Sequence, residues 1–88
     1  MKIQITDQDI KLGQPGIHYA CPVALALNRA TGQAWSVNKR TLITYKPSID
    51  KISSQPTPEI VRFMMNKFDH KEKIKPFSFI LDKQETLL

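Results

Sequence analysis

Cysteine and histidine carry the most versatile side-chain chemistry, and the pair closest together in this chain is Cys21 and His18. Pro22 follows the cysteine, and the run from Pro22 to the residue before Gly32 reads as a helix, which puts Cys21 at or beside its N-cap. There the helix macrodipole favours a thiolate, and a lowered thiol pKa makes a better nucleophile. His18, three residues upstream, is the available base. The set stops at two members, because the only other histidine is His70 and no glycine-rich oxyanion element lies near Cys21. A lone cysteine ahead of an apolar helix usually serves as a small core residue. That structural reading is the one adopted, with a cysteine-dependent enzyme or redox protein as an alternative.

Asp7 and Asp9 are the next candidates, as a pair of carboxylates for a metal. No third ligand is in view, and Thr6-Asp7-Gln8-Asp9 reads more simply as the capped start of a short helix. A single cysteine excludes an internal disulfide and any Cys-rich zinc site, so no metal and no cofactor is expected and the composition points to the cytoplasm. No run is long enough to span a membrane.

The remaining chemistry is charge. A net charge of +5 and a pI near 9.6 favour an anionic partner, either nucleic acid or an acidic protein surface. The cations gather loosely in two places: Lys39, Arg40, Lys46 and Lys51, then Lys67, Lys71, Lys73 and Lys75 around His70. Asp50, Asp69 and Glu72 interrupt both groups. The first group coincides with a hairpin tip and a long loop, and it is the expected partner-binding surface.

The elements that must position these residues follow from periodicity and punctuation. Ile3 and Ile5 alternate with polar residues in a strand near 1–6. Pro22 opens and Gly32 closes a nearly all-apolar helix near 22–31, with Val23, Ala26, Leu27 and Ala30 on one face. Strands near 34–38 and 41–46 flank a tight turn in which Asn38 is the candidate for positive φ. The segment Pro47–Pro58, with three prolines and three serines, reads as a loop. Thr57 as N-cap and Pro58 as first residue start a second helix near 58–69, whose buried face is Ile60, Val61, Met64, Met65 and Phe68, flanked by Phe63. A last strand near 77–82 turns Phe77, Phe79 and Leu81 to one side. The expectation is one α+β domain over 1–82 with a frayed tail at 83–88. Its β, α, β, β, α, β order matches a ferredoxin-like sandwich, two helices on one face of a four-stranded antiparallel sheet.

A basic domain of that order invites comparison with RNA-recognition modules, which stack bases on aromatics of the open sheet face. The third strand here, Thr-Leu-Ile-Thr-Tyr, lacks their motif, and the open face of Lys2, Gln4, Ser36 and Ser78 is polar, with Ile80 the exception; Trp35 and Tyr45 remain as outward candidates. The Cys-Pro-Val-Ala-Leu-Ala-Leu helix, the short hairpin, the helix end in which Met64-Met65-Asn66-Lys67 separates Phe63 from Phe68-Asp69, and the closing Pro-Phe-Ser-Phe strand resemble small uncharacterised proteins of phages and prophages. The chain departs from that pattern in its longer Pro47–Pro58 segment. The resemblance implies a mobile-element accessory protein, and such proteins commonly bind a host protein or complex, for example to block a defence or transcription assembly. A non-catalytic interaction module is thus the leading expectation, with a nucleic-acid-binding regulator as alternative. Homodimerisation through an open sheet edge is compatible with both.

Overall fold

The computed structural model describes the backbone of residues 1–46, 51–82 and 85–87, and side chains within 1–44 and 52–82. Nine elements run in the order β1 (Lys2–Ile5), α1 (Asp7–Leu12), α2 (Pro22–Thr31), β2 (Trp35–Val37), β3 (Thr41–Lys46), β4 (Lys51–Pro56), α3 (Glu59–Asp69), β5 (Phe77–Ile80) and β6 (Glu85–Leu87). The class is α+β, as expected.

The expected single four-stranded sheet is absent, and the reason is β4. Lys51–Pro56 falls within the segment taken for a loop, yet it pairs antiparallel with all of β3, from Lys46↔Lys51 to Thr41↔Pro56. With β2 on one edge of β3 and β4 on the other, β3 has no edge left to receive β1. The first strand therefore pairs with β5 alone, in the register Ile3↔Phe79 and Ile5↔Phe77, as a separate two-stranded ribbon. The second sheet has the order β2-β3-β4-β6, the meander β2-β3-β4 extended by β6, which pairs antiparallel with β4 through Lys51–Ser53. The tail was expected to fray; its residues 85–87 carry β6, whereas 83, 84 and 88 lie outside the described residues.

Helix α2 forms where its punctuation placed it. Pro22 occupies the first turn, and Gly32 takes the left-handed conformation (φ 73°) that lets its N–H cap the Asn28 carbonyl. Val23, Ala24, Ala26 and Leu27 are fully buried against Ile3, Ile5, Leu42, Val61 and Phe79, while Ala30, expected on the same face, is exposed. Its far end is bonded to β2: the Trp35 N–H donates to Asn28 Oδ1 (2.9 Å), and the Trp35 indole donates to Thr31 Oγ1 (2.8 Å). Trp35 is thus a core residue, not an outward stacking surface, and the Tyr45 side chain lies outside the described residues.

Helix α1 is held by the capping box that Thr6 and Asp9 predict. The Asp9 N–H donates to Thr6 Oγ1 (3.2 Å), and the Thr6 N–H donates to Asp9 Oδ2 (2.9 Å). Asp9 is also buried, at 3% exposure, and paired with Arg29 of α2, which reaches both carboxylate oxygens and the Gln4 carbonyl of β1. One guanidinium therefore joins α1, α2 and β1. Gly13, just past α1, lets the two helices close on each other, since a Cβ there would lie 2.6 Å from the Pro22 ring.

Helix α3 is rotated relative to expectation. Val61 and Met65 are buried and Met64 and Phe68 half-buried, but Ile60 and Phe63 face solvent, Phe63 beneath the Lys67 ammonium at 5.2 Å. Thr57 does not cap it. Pro58 holds the cap position without a side-chain bond, and the Thr57 hydroxyl is used elsewhere.

Candidate functional site

Four segments converge on one cleft: the loop from Gly16 into the start of α2, the β2–β3 turn, Thr57, and the outward flank of α3. Each is fixed by hydrogen bonds that its residue types dictate. Asn38 makes the β2–β3 turn through its side chain and not through positive φ, which it does not adopt. Its Oδ1 accepts from the N–H groups of Arg40 (2.9 Å) and Thr41 (2.8 Å), an Asx turn. Thr57 ties that turn to α3, its N–H donating to the Arg40 carbonyl (3.0 Å) and its hydroxyl to the Asn38 carbonyl (2.7 Å). The other wall is held by His18. Its carbonyl accepts from the Val37 N–H (2.9 Å), and its Nδ1 lies 2.9 Å from the Val37 carbonyl. A carbonyl only accepts, so Nδ1 carries the proton. Asp69, the last residue of α3, accepts the Gly16 N–H (3.0 Å) and draws the loop against the helix.

The cleft has a volume of about 100 Å³ and is open to solvent on one side. Cys21, Val37, Val61 and Met65 form an apolar floor, each less than a tenth exposed. His18, Lys39, Arg62 and Asp69 form an exposed polar rim. The two sets of residues that the sequence singled out separately, Cys21 with His18 and the hairpin cation Lys39, therefore meet in one place. Arg40 is exposed beside them at the same turn. Lys46 and Lys51 do not join them: they face each other as a pair at the opposite end of β3, about 17 Å away at strand rise, and their side chains lie outside the described residues.

Arg62 and Asp69 were not among the expected site residues; Asp69 entered only as an acid that interrupts the second cationic group. The signal was their spacing. Arg62, Asn66 and Asp69 stand at i, i+4 and i+7, one polar stripe beside the buried stripe of Val61 and Met65.

The cleft does little for thiol chemistry. Cys21 caps α2 through its sulfur, with the Ala24 N–H at 3.5 Å. Burial pushes the thiol above its ordinary pKa, and backbone N–H groups of Ala24 and Val23 oppose that only in part. The direction is opposite to the one a helix N-terminus alone would produce. No hydrogen bond joins Cys21 to His18, whose Nδ1 is engaged with the backbone. Cys21→Ser should accordingly fold, cost about 1–3 kcal/mol for desolvating a hydroxyl, and leave function nearly intact, with only the modest weakening that a hydroxyl on the apolar floor brings. The unmodified thiol should react with iodoacetamide more slowly near neutral pH than a free cysteine does. Fast alkylation together with a hundredfold loss of function in the variant would return the enzyme alternative to the front.

Asp7 and Asp9 do not make a metal pair, since Asp9 turns inward to Arg29. Among the described residues no group of three or more His, Cys, Asp and Glu side chains could hold an ion, and no helix is long and apolar enough to cross a membrane. Comparison with protein-family models, with curated proteins and with solved structures returns no match.

Proposed function

We propose that the chain is a small non-catalytic interaction module, an accessory protein of the phage or mobile-element kind that binds and modulates a host protein complex, such as a defence assembly, in the cytoplasm. The observation that carries the reading is the cleft: an apolar floor, rimmed by exposed cations from two separate elements, on a scaffold whose walls are pinned by backbone hydrogen bonds. A concavity with an apolar floor and a polar rim suits a protein surface better than a phosphate backbone, which needs cations but no apolar floor. The buried, hydrogen-bonded thiol supports the non-catalytic half of the proposal.

The cleft end of the molecule, with Lys39 and Arg40, is the proposed contact. Lys46 and Lys51 form a second cationic position at the far end of β3. Lys39→Glu with Arg40→Glu should leave the melting temperature nearly unchanged, since exposed substitutions usually move stability by no more than about 0.5 kcal/mol each. It should weaken partner capture at least about tenfold, whereas Lys46→Glu with Lys51→Glu should weaken it less. Affinity capture of the tagged chain from its host, with and without nuclease, reads both. A partner that survives nuclease and responds to the first pair supports the proposal. Nucleic acid instead would show as loss of all partners on nuclease treatment and a steep salt dependence of binding that the charge reversals make shallower.

A further inference from the structure

We infer that the cleft receives a branched aliphatic side chain of the partner protein, with an acidic residue adjacent to it in the partner's sequence. The inference rests on the reading above and adds the chemistry of what is bound.

Size argues for the aliphatic group. The cleft holds about 100 Å³, less than the ~150 Å³ of a closed cavity that takes benzene, so its size favours Leu, Ile or Val over an aromatic ring. The floor argues for its apolarity. Cys21, Val37, Val61 and Met65 offer carbon and sulfur, and the thiol's proton is the floor's only polar hydrogen on a side chain. Charge argues for the neighbouring carboxylate. Lys39 enters from the hairpin and Arg62 from α3, and neither has an ion-pair partner among the described residues. Asp69, the one acid of the lining, carries a single negative charge against the two cations and accepts the Gly16 N–H. A peptide that seats an aliphatic side chain on the floor therefore brings its flanking residues to a rim that carries both cations, and Arg62 can meet a carboxylate with its two-pronged fork. A nucleic acid would satisfy the cations and leave the floor empty.

The test is an NMR titration of the ¹⁵N-labelled full chain with blocked tripeptides, acetyl-Glu-Leu-Glu-amide, acetyl-Glu-Ala-Glu-amide and acetyl-Lys-Leu-Lys-amide, and with a short oligothymidylate. The Glu-Leu-Glu peptide should give saturable shifts centred on Val37, Val61 and Met65. The Glu-Ala-Glu peptide, three carbons smaller, should bind at least about tenfold more weakly, and the Lys-Leu-Lys peptide more weakly still. Lys39→Glu and Arg62→Glu, both at exposed positions, should each lower Glu-Leu-Glu affinity about fivefold or more without altering the fold. Equal affinity for the Leu and Ala peptides, shifts centred elsewhere, or stronger displacement of the same signals by oligothymidylate would overturn the inference. The two proposals fail separately. If capture of a protein partner depends on Lys39 and Arg40 while Glu-Leu-Glu does not bind, the anchor is wrong and the interaction module stands. If the peptide binds and no protein is captured, the anchor chemistry stands and the interaction module is wrong.

Discussion

Leu27→Ala should remove about 2–5 kcal/mol from the folded state, a large share of what a domain of this size possesses. Leu27 has no exposed surface, and it lies on a helix that contacts both sheets, β1 of the ribbon and β2 of the meander. Truncation leaves a cavity that neither sheet can collapse into without breaking its own ladder. Urea melts of the parent and the variant measure the difference at an unchanged slope. A loss below about 1 kcal/mol would mean that α2 is not the centre of the core.

The second large effect concerns Asp9 and Arg29. Burial alone would raise the Asp9 carboxyl, but hydrogen bonds from Arg29 and from Thr6 bring it below the ordinary carboxylate value. A depressed folded-state pKa means stability that is present above the unfolded carboxylate value near ~3.9 and is lost as pH falls through the folded one. Arg29→Ala should cost about 1–3 kcal/mol at neutral pH, because it leaves a buried carboxylate with only the Thr6 N–H. The figure stays below that of a fully buried pair because the Arg29 side chain is 53% exposed and partly screened by water. As pH drops and Asp9 takes up a proton, the difference between parent and variant should shrink. Melts at several pH values decide it. A difference that holds constant down to strong acid would place the contribution of Arg29 in packing and not in the ion pair.

What the sequence made legible was whatever is encoded within one element. Pro22 and Gly32 bracket α2, alternation marks β1, a run of β-branched and apolar residues marks β3, and Thr6 with Asp9 marks the capped start of α1. Strand β4 was hidden because its inward row is polar. Ser53 and Gln55 are buried, Gln55 accepting the Asp82 N–H through Oε1, so the residues that should announce a half-buried strand are serine and glutamine. Prolines at 56 and 58 and the serines beside them then read as loop chemistry, although a proline at the last position of a strand removes little from the ladder. Missing that strand gave the wrong sheet, since nothing else prevented β1 from being placed beside β3. The cleft was legible only in fragments. Cys21, His18 and Lys39 were each singled out, but the contacts that unite them, Thr57 to the hairpin and His18 to Val37, join residues 17 to 19 apart, a distance that no local pattern reports. The Asp9–Arg29 pair, 20 residues apart, was invisible for the same reason.

The hydrogen bonds that His18 and Asn28 make to β2 also bear on how the molecules behave toward one another when crowded. A strand at the margin of a sheet invites another chain to lay itself alongside, and repeated addition of that sort leads to fibres. On this margin both outward N–H groups are already taken, that of Val37 by a loop carbonyl and that of Trp35 by an amide side chain. A newcomer would have to displace bonds from within the same fold before it gained any. Templating along β2 therefore begins without a free N–H donor, and strand addition between copies is better served by another edge.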